Sequence, residues 1–384
     1  MFPVLPSQID NRLNELISDL LRLSSNLGAG LNPKVLDSLG KFMLCVNSYY
    51  TNAMEGNPSK IKDIEDALNN DFSSDTAARN YQLEHLAHIT VQKEMSKELN
   101  NKGLNICSED FLRWIHKRFY SQLPEEMHFA RTHSGEKISV LPGELRDRPA
   151  DVGRHLPPIS LDEVRSNLER FEKEYNPDRL ASPQKYLALG ASHHRLLWIH
   201  PFRDGNGRVA RLFTNGYQQK LDISSHGLWT VTRAFGRMRS EYDKYLNIAD
   251  QPRRNDYDGR GPLSEDGLVA FCKYFLEQCR DQINYIGGNL QLDTFEKRYK
   301  RYIDLSIGEG VIPKGSSAIL EALFYKGEIE RGEVQTICGI GRRRATEIIK
   351  ELLQGRFVST DSPHGGLKLN FTNDSAAILF PNLV

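Results

Sequence analysis

No run in this sequence approaches the roughly 18 apolar residues that a membrane-spanning helix needs. The opening, MFPVLPSQIDNRLNELISDLLRLSS, lacks the basic stretch and apolar core of a leader peptide. The expectation is a soluble, cytoplasmic protein with no membrane partner. Cysteine is scarce: Cys45, Cys107, Cys272, Cys279 and Cys338 make an odd set with no C-x-x-C pair and no Cys/His cluster. That argues against a disulfide framework and against a zinc site, and it suits a reducing compartment. Net charge is missing too, since 50 basic side chains balance 50 acidic ones. No global field then draws the chain to nucleic acid or to an anionic surface, and any polyanion contact has to be local. Internal repeats, low-complexity tracts and a G-x-x-x-x-G-K-S/T phosphate loop are also lacking.

What is present is helical periodicity. With 384 residues and 39% hydrophobic composition the chain can bury a sizeable core over two or three domains. Apolar residues recur at three and four through 37–54, where Leu39, Phe42, Met43, Val46, Tyr49, Tyr50 and Ala53 form one stripe, with Gly56 beyond its end as a cap. Similar stripes predict helices over 77–99, 108–123, 161–175, 184–199 and 207–219, and another over 264–285. On the helix over 184–199, His193 reads as core packing with Leu189 and Leu196, and His194 reads as a surface residue. Between 130 and 158, KISVLPGELRDRPADVGRHLPP has short alternating runs and glycines, the pattern of a β-hairpin or flap. From 316 onward the order is helix, short helix, turn, helix and then RFVSTDSPHGGLKLNFT, which predicts a winged helix-turn-helix with a β-wing at the end.

The chemistry concentrates in WIHPFRDGNGRVARLF, Trp198 to Phe213. A helix ending near Ile199 delivers His200 to a tight loop, and a new helix opens at about Gly207. Gly205, Asn206 and Gly207 then lie at a helix N-terminus, where unpaired N–H groups and the helix dipole favour an anion. Glycine lets those groups converge on phosphate oxygens. Arg208 and Arg211 are three apart, on one face of the first turn, and add donors to the same anion. An acid beside phosphates makes sense when it holds Mg²⁺, so Asp204 is the expected metal ligand. His200 is the group that titrates near neutrality and can accept a proton from an attacking hydroxyl. A Gly-Asn-Gly turn alone reads as a connector. Together with a histidine, an acid and two arginines in register it reads as transfer of a phosphorus-centred group from a magnesium nucleotide to an alcohol.

HPFRDGNGRVAR, His200 to Arg211, resembles the signature of the Fic family, H-x-F-x-D/E-G-N-G-R-x-x-R, at every specified position. The likeness spans roughly 80–285. It implies a mainly α fold, a Fic-type helical core with a small β-hairpin flap, and transfer of AMP from ATP to a protein hydroxyl. By that resemblance His200 is the general base, Phe202 fixes the loop, Asp204 holds Mg²⁺, and Gly205, Asn206 and Gly207 form the anion hole. Arg208 and Arg211 contact the β- and γ-phosphates, the stretch 146–156 pins the target by strand addition, and Tyr242 contributes to the adenosine pocket, with Asp243 where a second tyrosine is usual. TNAMEGN, Thr51 to Asn57, resembles the family's inhibitory motif S/T-x-x-x-E-G/N. Its Glu55 is expected to pair with Arg211 and to inhibit the enzyme in cis.

The resulting organisation is an inhibitory helical region over 1–79, a Fic core over 80–290, and a linker helix with a winged helix over 291–384. The expected function is a protein adenylyltransferase acting on a Ser, Thr or Tyr hydroxyl of a protein, which can be the chain itself. A hydrolase removing AMP at the same site, with Glu55 orienting water, remains open. So does a DNA-binding regulator, whose best feature is Arg342, Arg343 and Arg344 at the start of a candidate recognition helix. Against DNA, 301–384 carries ten basic and ten acidic residues. Homodimer formation is also left open.

Overall fold

A computed structural model describes residues 1–101, 103–131, 135–150 and 157–384. Helices α1 (Asn11–Ser25), α2 (Pro33–Ala53), α3 (Ile61–Leu68), α4 (Thr76–Glu98) and α5 (Glu109–Tyr120) precede a hairpin of β1 (Phe129–Arg131) and β2 (Lys137–Ser139). Next come α6 (Leu161–Tyr175), α7 (Gln184–Ile199), α8 (Asn206–Lys220), α9 (Val231–Arg237), α10 (Arg239–Ala249) and α11 (Glu265–Asn289). The last segment runs α12 (Leu292–Gly308), α13 (Ser316–Lys326), β3 (Glu328–Ile329), α14 (Glu333–Cys338), α15 (Arg342–Gln354), β4 (Val358–Ser359), β5 (Leu367–Leu369) and α16 (Asn373–Leu379). The chain is mainly helical, with small antiparallel sheets. Among the described residues no helix is long and apolar enough to cross a membrane.

Two compact units divide these elements. The first comprises Met1–Ser25, Asn47–Ser224 and Thr230–Gln282, and the second Asn26–Val46, Ser225–Trp229 and Ile283–Val384. In the first, α7 packs against α6 and α8, while α4 packs against α3, α5 and α8. Helix starts follow side-chain chemistry: Asp75 accepts from Ala78 N–H at 2.8 Å, and Ser108 and Ser160 accept from the N–H groups of Phe111 and Glu163 at 3.2 Å. The hairpin pairs Phe129 with Ser139 and Arg131 with Lys137. Of the 146–156 stretch expected to pin a target, residues 151–156 lie outside the described residues.

Helix α7 is the centre of this unit. Ser192, His193, His194 and Arg195 are as buried as its leucines, and His194 is only 1% exposed. The expected surface position of His194 is therefore corrected. A helix packed on every side has no wet face for a polar residue to occupy. The buried polar groups are instead satisfied internally: Arg195 donates to the Pro3 carbonyl at 3.0 Å and the Ala249 carbonyl at 3.2 Å, and to His194 Nδ1 at 2.9 Å. His194 Nε2 then faces the Leu246 carbonyl and Asp250.

In the second unit β5 lies between β3 and β4, with Glu328 opposite Lys368 and Val358 opposite Leu369. Helix α13 packs on α12, α14, β3 and β5. Two of the three arginines that open α15 meet acids of their own helix at its solvated surface: Arg343 meets Glu347 at 3.3 Å, and Arg344 meets Glu347 at 3.2 Å and Glu351 at 3.6 Å.

Candidate active site

The loop between α7 and α8 is built by its own side chains. His200 caps α7 in the left-handed region, with φ 51° and ψ 60°, and its N–H donates to the Leu196 carbonyl at 3.1 Å. Phe202 is fully buried and stacks on His116, ring centroids 4.1 Å apart; burying a phenylalanine contributes about 1.5–3 kcal/mol. Asn206 accepts from Phe202 N–H at 2.9 Å and donates back to the Phe202 carbonyl at 2.8 Å. This closed pair of bonds shapes the turn and commits the Oδ1 acceptor and one Nδ2 proton of Asn206. The flanking glycines are set by close approach. A Cβ on Gly205, whose φ is +75°, would lie 2.9 Å from the Tyr120 ring, and one on Gly207 would lie 2.5 Å from a Glu55 carboxylate oxygen.

Asp204 is held from α5. Tyr120 donates its hydroxyl to Asp204 Oδ2 at 2.8 Å. Gly143 N–H donates to His116 Nδ1 at 2.8 Å, which leaves the His116 proton on Nε2, facing the Asp204 carbonyl at 3.3 Å. Burial lowers the His116 pKa to about 4 and, with the Asp204 charge, raises that of Tyr120 well above its ordinary value. His116 is therefore a neutral donor and Tyr120 a protonated one. Among the described residues no cluster of three or more His, Cys, Asp or Glu side chains could hold a metal. A lone carboxylate beside an anion-binding turn does fit Mg²⁺, which binds one or two carboxylates and completes its shell with phosphate oxygens and water.

The last turns of α2 lie over the two arginines of α8. Arg211 donates from Nε to the Thr51 hydroxyl, and from Nη2 to the Thr51 carbonyl at 3.1 Å and to Glu55. Arg208 donates to Asn52 Oδ1 at 3.0 Å and to Glu84 of α4 at 2.9 Å. A third arginine, Arg239, reaches the Met54 carbonyl at 2.5 Å. Burial pushes the Glu55 pKa up, but Arg211, Arg208 and Arg239 outweigh it and the net shift is downward. Glu55 is therefore ionised where it meets Arg211.

Of the residues predicted from sequence, the structure brings His200, Asp204, Gly205, Asn206, Gly207, Arg208, Arg211 and Glu55 into this one region. Tyr242 lies within electrostatic range of Arg211 and Glu55 but is buried behind them: it is 3% exposed, stacks on Phe235 at 4.3 Å and bonds His193 Nε2 at 2.8 Å. Thr214 spends its hydroxyl proton on the Ala210 carbonyl, so His193 Nδ1–H donates to Thr214 and the Tyr242 hydroxyl donates to His193. Asn52, Glu84, His116 and Tyr120 escaped sequence reasoning. The four-residue spacing of His116 and Tyr120 put them on one face, but nothing local linked that face to a loop so far along the chain.

Solved structures share this architecture. A Fic family protein from Desulfovibrio desulfuricans superposes with a TM-score of 0.57 at 13% identity, over 96% of this chain and 99% of that one. Fic-1 from C. elegans gives 0.52 at 18% identity over 72% of this chain and 71% of that one. The fold is that of Fic proteins. Residues 106–217 also match the family model of the Fic/DOC family. Protein adenylyltransferase Fic of Culex quinquefasciatus is 28% identical over 211 residues, which is 53% of this chain and 36% of that protein. Its namesake in Drosophila ananassae is 29% identical over 205 residues, with the same shares. The match thus spans little more than a third of those curated relatives. The segment that carries the site is thus similar in sequence to Fic proteins.

Proposed function

We propose that this chain is a protein adenylyltransferase that moves AMP from ATP to a Ser, Thr or Tyr hydroxyl of a protein, and that Glu55 restrains it in cis. The observation that carries the reading is the His200–Arg211 loop, where a histidine, a held carboxylate, a glycine-flanked helix N-terminus and two buried arginines converge. The imidazole of His200 takes the proton of the acceptor hydroxyl, and the oxygen attacks the α-phosphorus. The bond from that phosphorus to the bridging oxygen breaks, and pyrophosphate leaves. Charge gathering on the leaving phosphates is met by the N–H groups of Gly205, Asn206 and Gly207 and by Arg208 and Arg211. Mg²⁺ on Asp204 would neutralise phosphate charge when bound. Tyr242 keeps its proposed place beside the adenosine through its ring, since its hydroxyl is committed to His193.

Restraint follows from competition for one guanidinium. With Glu55 on Arg211, the γ-phosphate has lost a donor. For 313–371, the order of α13, β3, α14, α15, β4 and β5 supports a winged helix, and the acid-paired arginines of α15 favour protein docking over DNA. The test of the activity is incubation with ATP labelled at the α-phosphate and Mg²⁺, with label located by mass spectrometry. Label on a hydroxyl side chain in Glu55→Gly, lost in Glu55→Gly/His200→Ala, is the expected result. Absence of label in Glu55→Gly across candidate targets and the chain itself would remove the proposal.

A further inference from the structure

We infer that Arg146 is the positioning residue for His200: its guanidinium sets the left-handed turn that presents the imidazole and ties the base of the flap to that turn. The inference rests on the reading of His200 as proton acceptor. Arg146 is among the largest fully buried side chains of the molecule, 2% exposed. Burying a cation is costly without partners, and among the described residues this guanidinium bonds to backbone carbonyls. Nε donates to the His200 carbonyl at 2.6 Å, Nη1 to Arg148 at 2.8 Å, and Nη2 to Pro158 at 2.5 Å and Ile199 at 3.3 Å. Its backbone N–H donates to the Pro201 carbonyl at 2.9 Å.

Three consecutive carbonyls, those of Ile199, His200 and Pro201, are thus fixed by one residue. Two observations raise this above filling of the core. First, the carbonyls at the end of α7 are the ones a helix leaves without internal partners, and a cation there also meets the negative end of the helix dipole. Second, His200 is a non-glycine residue with φ 51°, a conformation that persists only where its surroundings over-determine it. Arg146 supplies that determination at the carbonyl of the strained residue itself. The same planar fork grips Arg148 and Pro158, so the flap base and the catalytic turn share one anchor. A planar guanidinium with five donors in fixed directions can serve carbonyls from three segments at once; a lysine ammonium on a flexible stem cannot hold them in one plane. Phosphate binding is served by other parts, namely the first turn of α8 and its two arginines.

That separation defines the test. Arg146→Met and Arg146→Lys are made in the Glu55→Gly background, and labelled-ATP kinetics are measured with thermal unfolding and amide hydrogen exchange. The expected result for Arg146→Met is a fall in kcat of about 100-fold, the scale of a misplaced catalytic group, with KM for ATP within about twofold and cooperative unfolding retained. Arg146→Lys loses about tenfold, also in kcat alone. Amides of 199–206 exchange faster in both variants, while those in the middle of α8 do not. Unchanged kcat in a folded variant overturns the inference, and so does equal loss of kcat and ATP affinity. If Arg146→Met does not fold, Arg146→Lys decides by the same criteria; failure of both to fold assigns Arg146 to stability alone and also overturns it. If Glu55→Gly with Arg146 intact shows no transfer, the adenylyltransferase reading has failed, and exchange over 199–206 alone judges Arg146.

Discussion

Arg211 has two possible partners of like charge, a protein carboxylate and a phosphate, and can give its Nη2 face to one. Its side chain is 4% exposed, whereas that of Glu55 is 31% exposed. Solvent screens the open side of Glu55 only, and Glu55 sits at the carbonyl end of α2, where the dipole disfavours an anion. On the proposed function the contact acts chiefly by restraining Arg211. Glu55→Gly is expected to raise AMP incorporation about tenfold or more, with only a small change in Tm, since a freed donor worth about 1.4 kcal/mol to the transition state changes rate tenfold. Arg211→Ala is expected to lower incorporation, because it removes the donor along with the restraint. Label incorporation and Tm for the two variants decide the matter: a purely structural bridge lowers Tm in both and raises incorporation in neither. The residues of this contest were legible because two short motifs carried them. Glu84 and Asn52 were not, since their partner Arg208 is far away in sequence and neither sits in a pattern that a local reading detects.

At the scale of helices, the chain hides its histidines. His85 and His88 on α4, His116 on α5, and His193 and His194 on α7 are buried. Burial lowers the pKa to about 3 for His85 and His193 and to about 4 for His116, with His88 and His194 also shifted down. The sign follows directly. The unfolded chain protonates these groups near 6.5, the folded chain only at lower pH, so the unfolded state binds more protons in between and stability falls as pH falls. Each group contributes up to about 1.4 kcal/mol per pH unit in that window. Urea unfolding midpoints should therefore drop steadily from pH 6.5 toward 4, and His193→Gln should flatten the dependence; a midpoint independent of pH would contradict the assignment of neutral buried imidazoles. The same helices show what periodicity reads and what it cannot. The bounds expected for α6 and α7 match the structure because caps and breakers are local. The burial of His194 was missed because a stripe argument presumes a wet face, and α7 has none. Helices α1 and α3 were anticipated only as part of a helical region over 1–79 and given no bounds, although Leu13, Leu16, Ile17 and Leu20 give α1 a regular buried face.

Across the whole molecule, packing ignores chain order. Residues 26–46 and 225–229 belong to the same compact unit as the C-terminal segment, an arrangement that no linear reading of composition could reveal. The element order of that segment was legible, with α13, α14 and α15 at the expected places, because Gly327, Gly339 and Gly355 punctuate it. Its charge is balanced, ten basic against ten acidic residues over 301–384, and Arg343 and Arg344 already face glutamates. Phosphate contacts dominate protein–DNA affinity and depend steeply on salt. The full chain is therefore expected to leave mixed genomic duplexes unshifted in gels at moderate salt; retention of particular fragments there would restore the regulator reading.

The bonds between Asn206 and Phe202 also bear on how the molecule ages. Asn-Gly is a sequence in which a loose chain readily cyclises: the backbone nitrogen after the asparagine attacks the side-chain amide, ammonia leaves, and the ring opens to aspartate or isoaspartate. Here the amide is fastened at both atoms and enclosed at the start of α8, so that attack lacks the freedom it needs. The turn that would grip a nucleotide thus also preserves itself chemically. Prolonged warm storage followed by peptide mass analysis should find Asn206 intact in the folded protein and converted in chain kept in urea; equal conversion in both would mean that the turn opens far more often than its bonds imply.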